Sequence, residues 1–200
     1  VSSNTPIAID AGGVSRVLEI SASNTALLDS LIITNGNAPD VGGGILVDSG
    51  ANVTLTNCTV AGNVAAAGGG IFISPNSIVA GNNCVFSANS ATNDGGAIDN
   101  ETSSALSLTG SLLTANSAHR GGAIFSDFGT NVLNHCTLLS NSAADGGAID
   151  NDTNSVLTIN YSTFSFNYGT NFGGTVINTN GGSIALNYST RVPSLESSRE

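Results

Sequence analysis

One short box recurs through this chain at nearly constant spacing: a Gly-Gly pair, a small residue, then an aliphatic one. It stands at Gly42–Ile45, Gly68–Ile71, Gly95–Ile98, Gly121–Ile124, Gly146–Ile149 and Gly173–Val176. Its aliphatic residues are 26, 27, 26, 25 and 27 positions apart. A period in this range marks a stacked-repeat fold, because one small unit cannot bury its apolar face until a neighbour covers it. Two more columns keep the register. Asn35, Asn63, Asn89, Asn116, Asn141 and Asn167 precede the Gly-Gly pairs, and Ser30, Cys58, Cys84, Ser111, Cys136 and Ser162 stand five residues before each Asn. Ser189 continues the second of these columns, and "SRVLEIS" at Ser15–Ser21 reads as a less regular rung before the first box.

Inside each repeat the apolar period is two. In "NVTLTNCTV", Val53, Leu55 and Val60 alternate with Thr54, Thr56 and Thr59, and "ALSLTGSLL" and "VLTINYSTF" read the same way. Short alternating runs punctuated by Gly and Asn are strands and turns, about three strands per repeat, and no segment carries a helical pattern. The expected fold is therefore all-β: a single-stranded parallel β-helix, or solenoid, over residues 1–190, with a polar C-terminal tail at 191–200. It would have about seven coils of about 26 residues, each rising about 4.8 Å. Right-handed connection is the strong preference between parallel strands, and no hexapeptide repeat argues for the other hand.

Three inward columns follow. The first is Ile45, Ile71, Ile98, Ile124, Ile149 and Val176. The second is Leu27, Leu55, Leu108, Leu133, Ile159 and Leu186, with Gly81 as its gap. The third is Ile32, Val60, Phe86, Leu113, Leu138 and Phe164. At roughly 1.5–3 kcal/mol per buried aliphatic side chain, such columns dominate stability. Gly recurs in the box because a tight corner needs positive φ.

Composition narrows the function. Apolar content of 40% argues against disorder, while charged residues are only 9% of the chain. The net charge is −10 and the cations are four arginines, Arg16, Arg120, Arg191 and Arg199. Without a basic stripe, nucleic acid and anionic membrane surfaces are poor partners. No apolar run approaches the ~20 residues of a membrane-spanning helix, so no membrane insertion is expected. The opening "VSSNTPIAIDAGG" has neither the charged n-region nor the apolar h-region of a signal peptide.

The Asn column reads as a structural amide ladder, since Asn also tolerates left-handed turns. Cys58, Cys84 and Cys136 share their column with Ser and read as small buried thiols, with no metal-ligand spacing. The six N-x-[ST] sequons, at Asn52, Asn57, Asn100, Asn151, Asn160 and Asn187, are the number that so much Asn, Ser and Thr produces by chance.

The acidic residues are more specific. Glu101, Asp127 and Asp152 fall on consecutive coils, and Asp48 aligns with them. Such a strip splays into water or shares a cation, for which Ca²⁺ would be the choice. Asp99 and Asp150, in an adjacent column, are the one candidate for a catalytic acid pair on a polysaccharide. The short loops build no cleft, and His119 and His135 have no partner at a recognisable spacing, so the expectation is a non-enzyme.

The outward positions of the second strand make a flat face. One column runs Ala26, Thr54, Ala80, Ser107, Val132, Thr158, Ala185, and its neighbour Leu28, Thr56, Asn82, Thr109, Asn134, Asn160, Asn187. Thr54, Thr56, Ser107, Thr109, Thr158 and Asn160 are the candidate binding residues here, for ice or a glycan. The residues after the inward aliphatic one, Leu46, Phe72, Asp99, Phe125, Asp150 and Ile177, point away from the core and are free to vary, so a binding surface could also be drawn there.

With these boxes in view, the chain resembles the bacterial surface β-helices of polymorphic outer-membrane proteins and autotransporter passengers. Their signature pairs a GGA[I/V/L] box with F-x-x-N. Here GGAI stands at Gly95, Gly121 and Gly146, and F-x-x-N at Phe86–Asn89 and Phe164–Asn167, the other copies degrading to "VAGN", "LTAN" and "LLSN". The resemblance spans roughly residues 15–190 and is one of coil geometry. It implies an extracellular or cell-surface protein acting in adhesion or as a structural module, toward a glycan or a host or neighbouring cell. The C-terminal membrane barrel of such proteins is not in this sequence. Open coil ends would also permit end-to-end self-association, with Asp10–Gly13 and the tail after Arg191 as candidate caps.

Overall fold

Each coil turns on single residues in the left-handed region, which is why Gly and Asn punctuate the chain so evenly. The first Gly of every box has φ near +60°, from Gly42 to Gly173, and Asn57, Asn83, Gly110, His135 and Tyr161 form another such corner. The computed structural model describes residues 6–192, and among them there are 26 strands and no helix. Twenty-two strands stack into three parallel sheets that run the length of the molecule, one of eight strands and two of seven.

The first face holds the strands that follow the Gly-Gly boxes, Leu18–Ile20, Ile45–Val47, Ile71–Ile73, Ile98–Asn100, Ile124–Asp127, Ile149–Asp152 and Val176–Asn178. The second face runs from Thr25–Asp29 to Ser183–Asn187, and the third from Ile7–Asp10 to Thr190–Val192. That last strand pairs with Thr163–Ser165, so the final coil extends through residue 192, while 193–200 lie outside the described residues. A fourth, broken side carries short pairings such as Val64–Ala67 with Ser90–Asp94.

Like stacks on like, as the period demands. Ile45, Ile71, Ile98, Ile124 and Ile149 are in direct register and fully buried. Leu55, Leu108, Leu133 and Ile159 form the second column, and a methyl of Leu108 closes over Gly81 in the gap. Val60, Phe86, Leu113, Leu138 and Phe164 form the third column.

The first coil departs from the expected alignment by one residue. Leu28, not Leu27, pairs with Leu55, and Ile33, not Ile32, pairs with Val60. Leu27 is accordingly 79% exposed and Ile33 fully buried. The outward columns therefore begin with Leu27 and Asp29 rather than Ala26 and Leu28. The cause is Asn35. It takes φ +55° at the corner where later coils place Gly62 and Ala88, and Gly36 holds the ladder position instead, donating its N–H to Asn63 Oδ1 at 2.8 Å. Ser30 likewise sits at a left-handed corner, beside Asn57 rather than Cys58. Asn suits both a left-handed corner and an amide ladder, and a slip of one residue turns every side chain of a strand to the other face.

From Asn63 on, the amide ladder is continuous. The side-chain amides of Asn63, Asn89, Asn116 and Asn141 each donate to Oδ1 of the next Asn at 2.9–3.1 Å, and to a carbonyl of the preceding coil. That oxygen also receives the backbone N–H of the Asn before it. The three cysteines are buried free thiols. Cys84 Sγ donates to Asn82 O as Ser111 Oγ does to Thr109 O, and burial pushes the Cys84 thiol up to about 11.

The second Gly of the box is required by space rather than φ. A Cβ on Gly96 would lie 2.2 Å from Gly122 O and 2.6 Å from Ser117 O, both backbone atoms, whereas one on Gly174 would meet nothing within 4 Å. Gly96→Ala should therefore cost about 1–3 kcal/mol or more. Gly174→Ala, in the same box position, should stay within about 0.5 kcal/mol. Urea unfolding of the two variants side by side measures the difference.

Candidate functional site

Among the described residues, buried acids and an arginine gather at the corner of the three central boxes. Asp94, Arg120 and Asp145 stand immediately before their Gly-Gly pairs and bridge in register on consecutive coils. Asp99, Phe125 and Asp150 follow the inward Ile residues, again in register. The two columns meet across the Gly-Gly corner. Arg120 makes two bonds to Asp94, Nε to Oδ1 at 2.6 Å and Nη2 to Oδ2 at 2.9 Å, and Nη1 reaches Asp152 Oδ2 at 3.5 Å. Its guanidinium carbon lies 4.3 Å from the centre of the Phe125 ring, so the side chain is a strap over that ring.

Beneath the strap the outward column is covered. Asp99 is 1% exposed, Phe125 is buried, and Asp150 is 4% exposed. This corrects the expectation of a free variable surface after GGAI: these residues point away from the core, yet all three are buried, with the Arg120 guanidinium over the Phe125 ring. Asp99 is stacked between Phe72 and Phe125, and Asp150 between Phe125 and Ile177. Oδ1 of Asp99, of Asp150 and of Asp145 is buried without a hydrogen-bond partner.

The electrostatics follow from that burial. Desolvation, then the charges of Glu101 and Asp94, hold Asp99 well above the usual carboxylate range, against the opposing pull of Arg120. Burial, with the charge of Asp152, raises Asp150 to about 6. Neither carboxyl is open to a polymer chain in this arrangement.

In the acidic strip, Asp127 pairs with Asp152, and Asn100 pairs with Ser126, which sets Glu101 beside Asp127. Burial and the charge of Asp127 raise Glu101. At Asp152 burial acts upward too, but bonds from the Thr153 N–H, Asn180 and Thr179 outweigh it and hold the carboxylate below its usual range. Among the described residues no three His, Cys, Asp or Glu side chains converge as metal ligands.

Thr54, Thr56, Ser107, Thr109, Thr158 and Asn160 all lie on the second face in the two outward columns. Ser107 and Thr109 are exposed and the other four half-buried. An amide ladder edges this face, Asn160 Nδ2 donating to Asn134 Oδ1 at 2.7 Å and Asn187 Nδ2 to Asn160 Oδ1 at 2.8 Å. Beside it runs a stack that sequence reading missed: His135 on Tyr161 at 5.0 Å, and Tyr161 on Tyr188 at 5.2 Å. Its signal was an aromatic ring directly after Asn134, Asn160 and Asn187. Of the sequons, those at Asn100 and Asn151 are buried and closed to modification in the folded chain.

The family model for a right handed beta helix region matches residues 15–124, more than half of the 200-residue chain. The chain belongs to the right-handed β-helix family. No curated protein and no solved structure is significantly similar to it. In this β-helix the box makes a coil corner everywhere, and the residues flanking its three central copies gather charge around the Arg120 strap. Arg120→Met keeps an apolar stem over Phe125 but leaves Asp94 without its cation. The loss should be about 1–2 kcal/mol, modest because the arginine is partly exposed, and is measurable by urea unfolding at pH 7.

Proposed function

We propose that this β-helix is a non-catalytic, extracellular or cell-surface module of the polymorphic outer-membrane protein or autotransporter-passenger type, serving in adhesion or as a structural surface element. The second face carries this reading. Seven strands in register present two accessible columns of mostly small, uncharged side chains, bordered by the Asn ladder and the His135–Tyr161–Tyr188 stack. Tyr161 is 54% and Tyr188 83% exposed, and exposed rings beside amide donors and acceptors suit an extended, uncharged partner such as a neutral glycan on a cell surface. The GGAI and F-x-x-N boxes support the kinship, since Phe86 and Phe164 fill the core while Asn89 and Asn167 hold the ladder.

The test is binding of the purified chain to glycan arrays and to intact cells, compared with Ser107→Arg, Thr109→Arg and Tyr161→Ala. All three changes point into solvent and leave the core untouched. Binding should fall at least about tenfold. Equal binding by all three variants would remove the second face from consideration.

A second reading is ice binding, favoured by the in-register outward columns of this face and their repeat of about 4.8 Å. On that reading the chain depresses the freezing point of water below its melting point, and Thr54→Tyr or Thr109→Tyr abolishes the gap. Activity indifferent to both substitutions sinks it.

A further inference from the structure

We propose that the corner formed by Asp99, Asp150 and Arg120 is a proton-operated latch: closed while both carboxyls carry their protons, and loosened along the coils from Asp94 to Asp152 when they ionise.

The geometry is that of two carboxyls with nowhere to place a charge. Each lies in a column of apolar neighbours, Phe72 and Phe125 around Asp99, Phe125 and Ile177 around Asp150, and each has one buried oxygen without a donor. The nearest cation is already committed, for Arg120 is bonded twice to Asp94 and reaches toward Asp152. The ionisable groups facing them are Asp94 and Glu101 on the coil of Asp99, Arg120 and Asp127 on the middle coil, and Asp145 and Asp152 on the coil of Asp150. The flanking coils bring only apolar side chains to these two columns, Ala67 and Phe72 on one side, Phe172 and Ile177 on the other. Seven carboxyls thus share one guanidinium. A proton on Asp99 and on Asp150 removes the two charges that are worst placed.

Ionisation reverses this. It adds rival claims on Arg120 and sets charge against the Phe125 ring, and water reaches the carboxylates only if the strap and the short fourth-side pairings open. The direction agrees with linkage. Both carboxyls are raised in the folded chain, so their contribution to closure is complete in acid. It is lost as pH rises above the ordinary aspartate range, through about 6 at Asp150, with Asp99 shifted by burial in the same direction.

Two measurements on the intact chain test the latch. The first is ¹³C NMR of the aspartate side-chain carboxyls in the unmodified protein, assigned by comparison with Asp99→Asn and Asp150→Asn. Both resonances should titrate above the ordinary aspartate range, that of Asp150 near pH 6; both titrating in the ordinary range overturns the proposal. The second is hydrogen–deuterium exchange between pH 5 and pH 8, corrected for intrinsic rates, on peptides covering 94–101 and 145–152. Opening there should increase at least about tenfold, because only about one of the two pH units between the open and the closed Asp150 falls above pH 5, and peptides around Ile45–Val60 should not follow. In Asp99→Asn/Asp150→Asn the increase should vanish. An increase that persists in the double variant, or one spread evenly over all coils, overturns the latch. So does protection of the same peptides by added Ca²⁺ at pH 8 that is lost in Asp150→Asn, because the carboxyls would then be ionised and waiting for a metal.

Discussion

The constraint on which this structure depends is register between coils. Along the three faces the backbone of each inner coil is paired with the coils above and below, so a residue's nearest non-local neighbours are its own counterparts about 4.8 Å away. Anything that gains from self-stacking is amplified by this arrangement, and anything that repels itself is penalised in every coil. Aliphatic side chains gain, and so do amides, which are donor and acceptor at once. The unbroken run from Asn63 to Asn167 is the polar equivalent of the Ile45–Ile149 column.

The same rule accounts for a change of character half-way along the core. The inward column beside the Ile residues is apolar at Ile20, Val47 and Ile73, then becomes Asn100, Ser126, Asn151 and Asn178. These polar groups stay inside because they hold one another. Asn100 donates to Asn131 Oδ1 at 3.0 Å, Asn131 to Ser126 Oγ at 2.8 Å, and Asn151 to Asn178 Oδ1 at 2.7 Å. An unpartnered amide in that position would cost about 1–3 kcal/mol, so the replacement had to occur in neighbouring coils together. The final Asn of the twice-written DGGAIDN is therefore an interior residue, while its two acids belong to the corner outside.

Much of this was legible from spacing. Coil length, the three strands per coil, the identity of the Ile column and the direction of the Thr54 and Ser107 side chains all follow from a period of two nested in a period of 26. What spacing could not resolve was a choice between equivalent chemistries. Asn35 fits a left-handed corner as well as a ladder, and choosing the ladder displaced the whole first coil by one residue. Nor does outward mean exposed: Asp99 and Asp150 alternate correctly and are still buried, at a corner where Arg120 lies over the ring between them. The Arg120 strap was missed for a related reason. Asp94, Arg120 and Asp145 lie in line before successive boxes, but the box had drawn attention to its glycines, and nothing local shows that an arginine leans over the ring five residues later.

Charge shows the register rule at its most restrictive. Two carboxylates one coil apart would repel by about 3–4 kcal/mol at an effective dielectric constant near 20. Both corner columns avoid this by alternation: acid, arginine, acid in one, and acid, ring, acid in the other. Arginine is bonded to Asp94 and not to Asp145, phenylalanine merely separates its two acids, and the corner's unpartnered oxygens are those of Asp99, Asp145 and Asp150. Where acids do stand on consecutive coils, at Glu101, Asp127 and Asp152, the strip is only partly covered, and its last member is held by Thr179, Asn180 and Arg120. The even spacing of DGGAIDN, RGGAIFS and DGGAIDN is thus a requirement of the stack. In both columns an acid recurs only after a different residue has intervened, an arginine in one and a phenylalanine in the other.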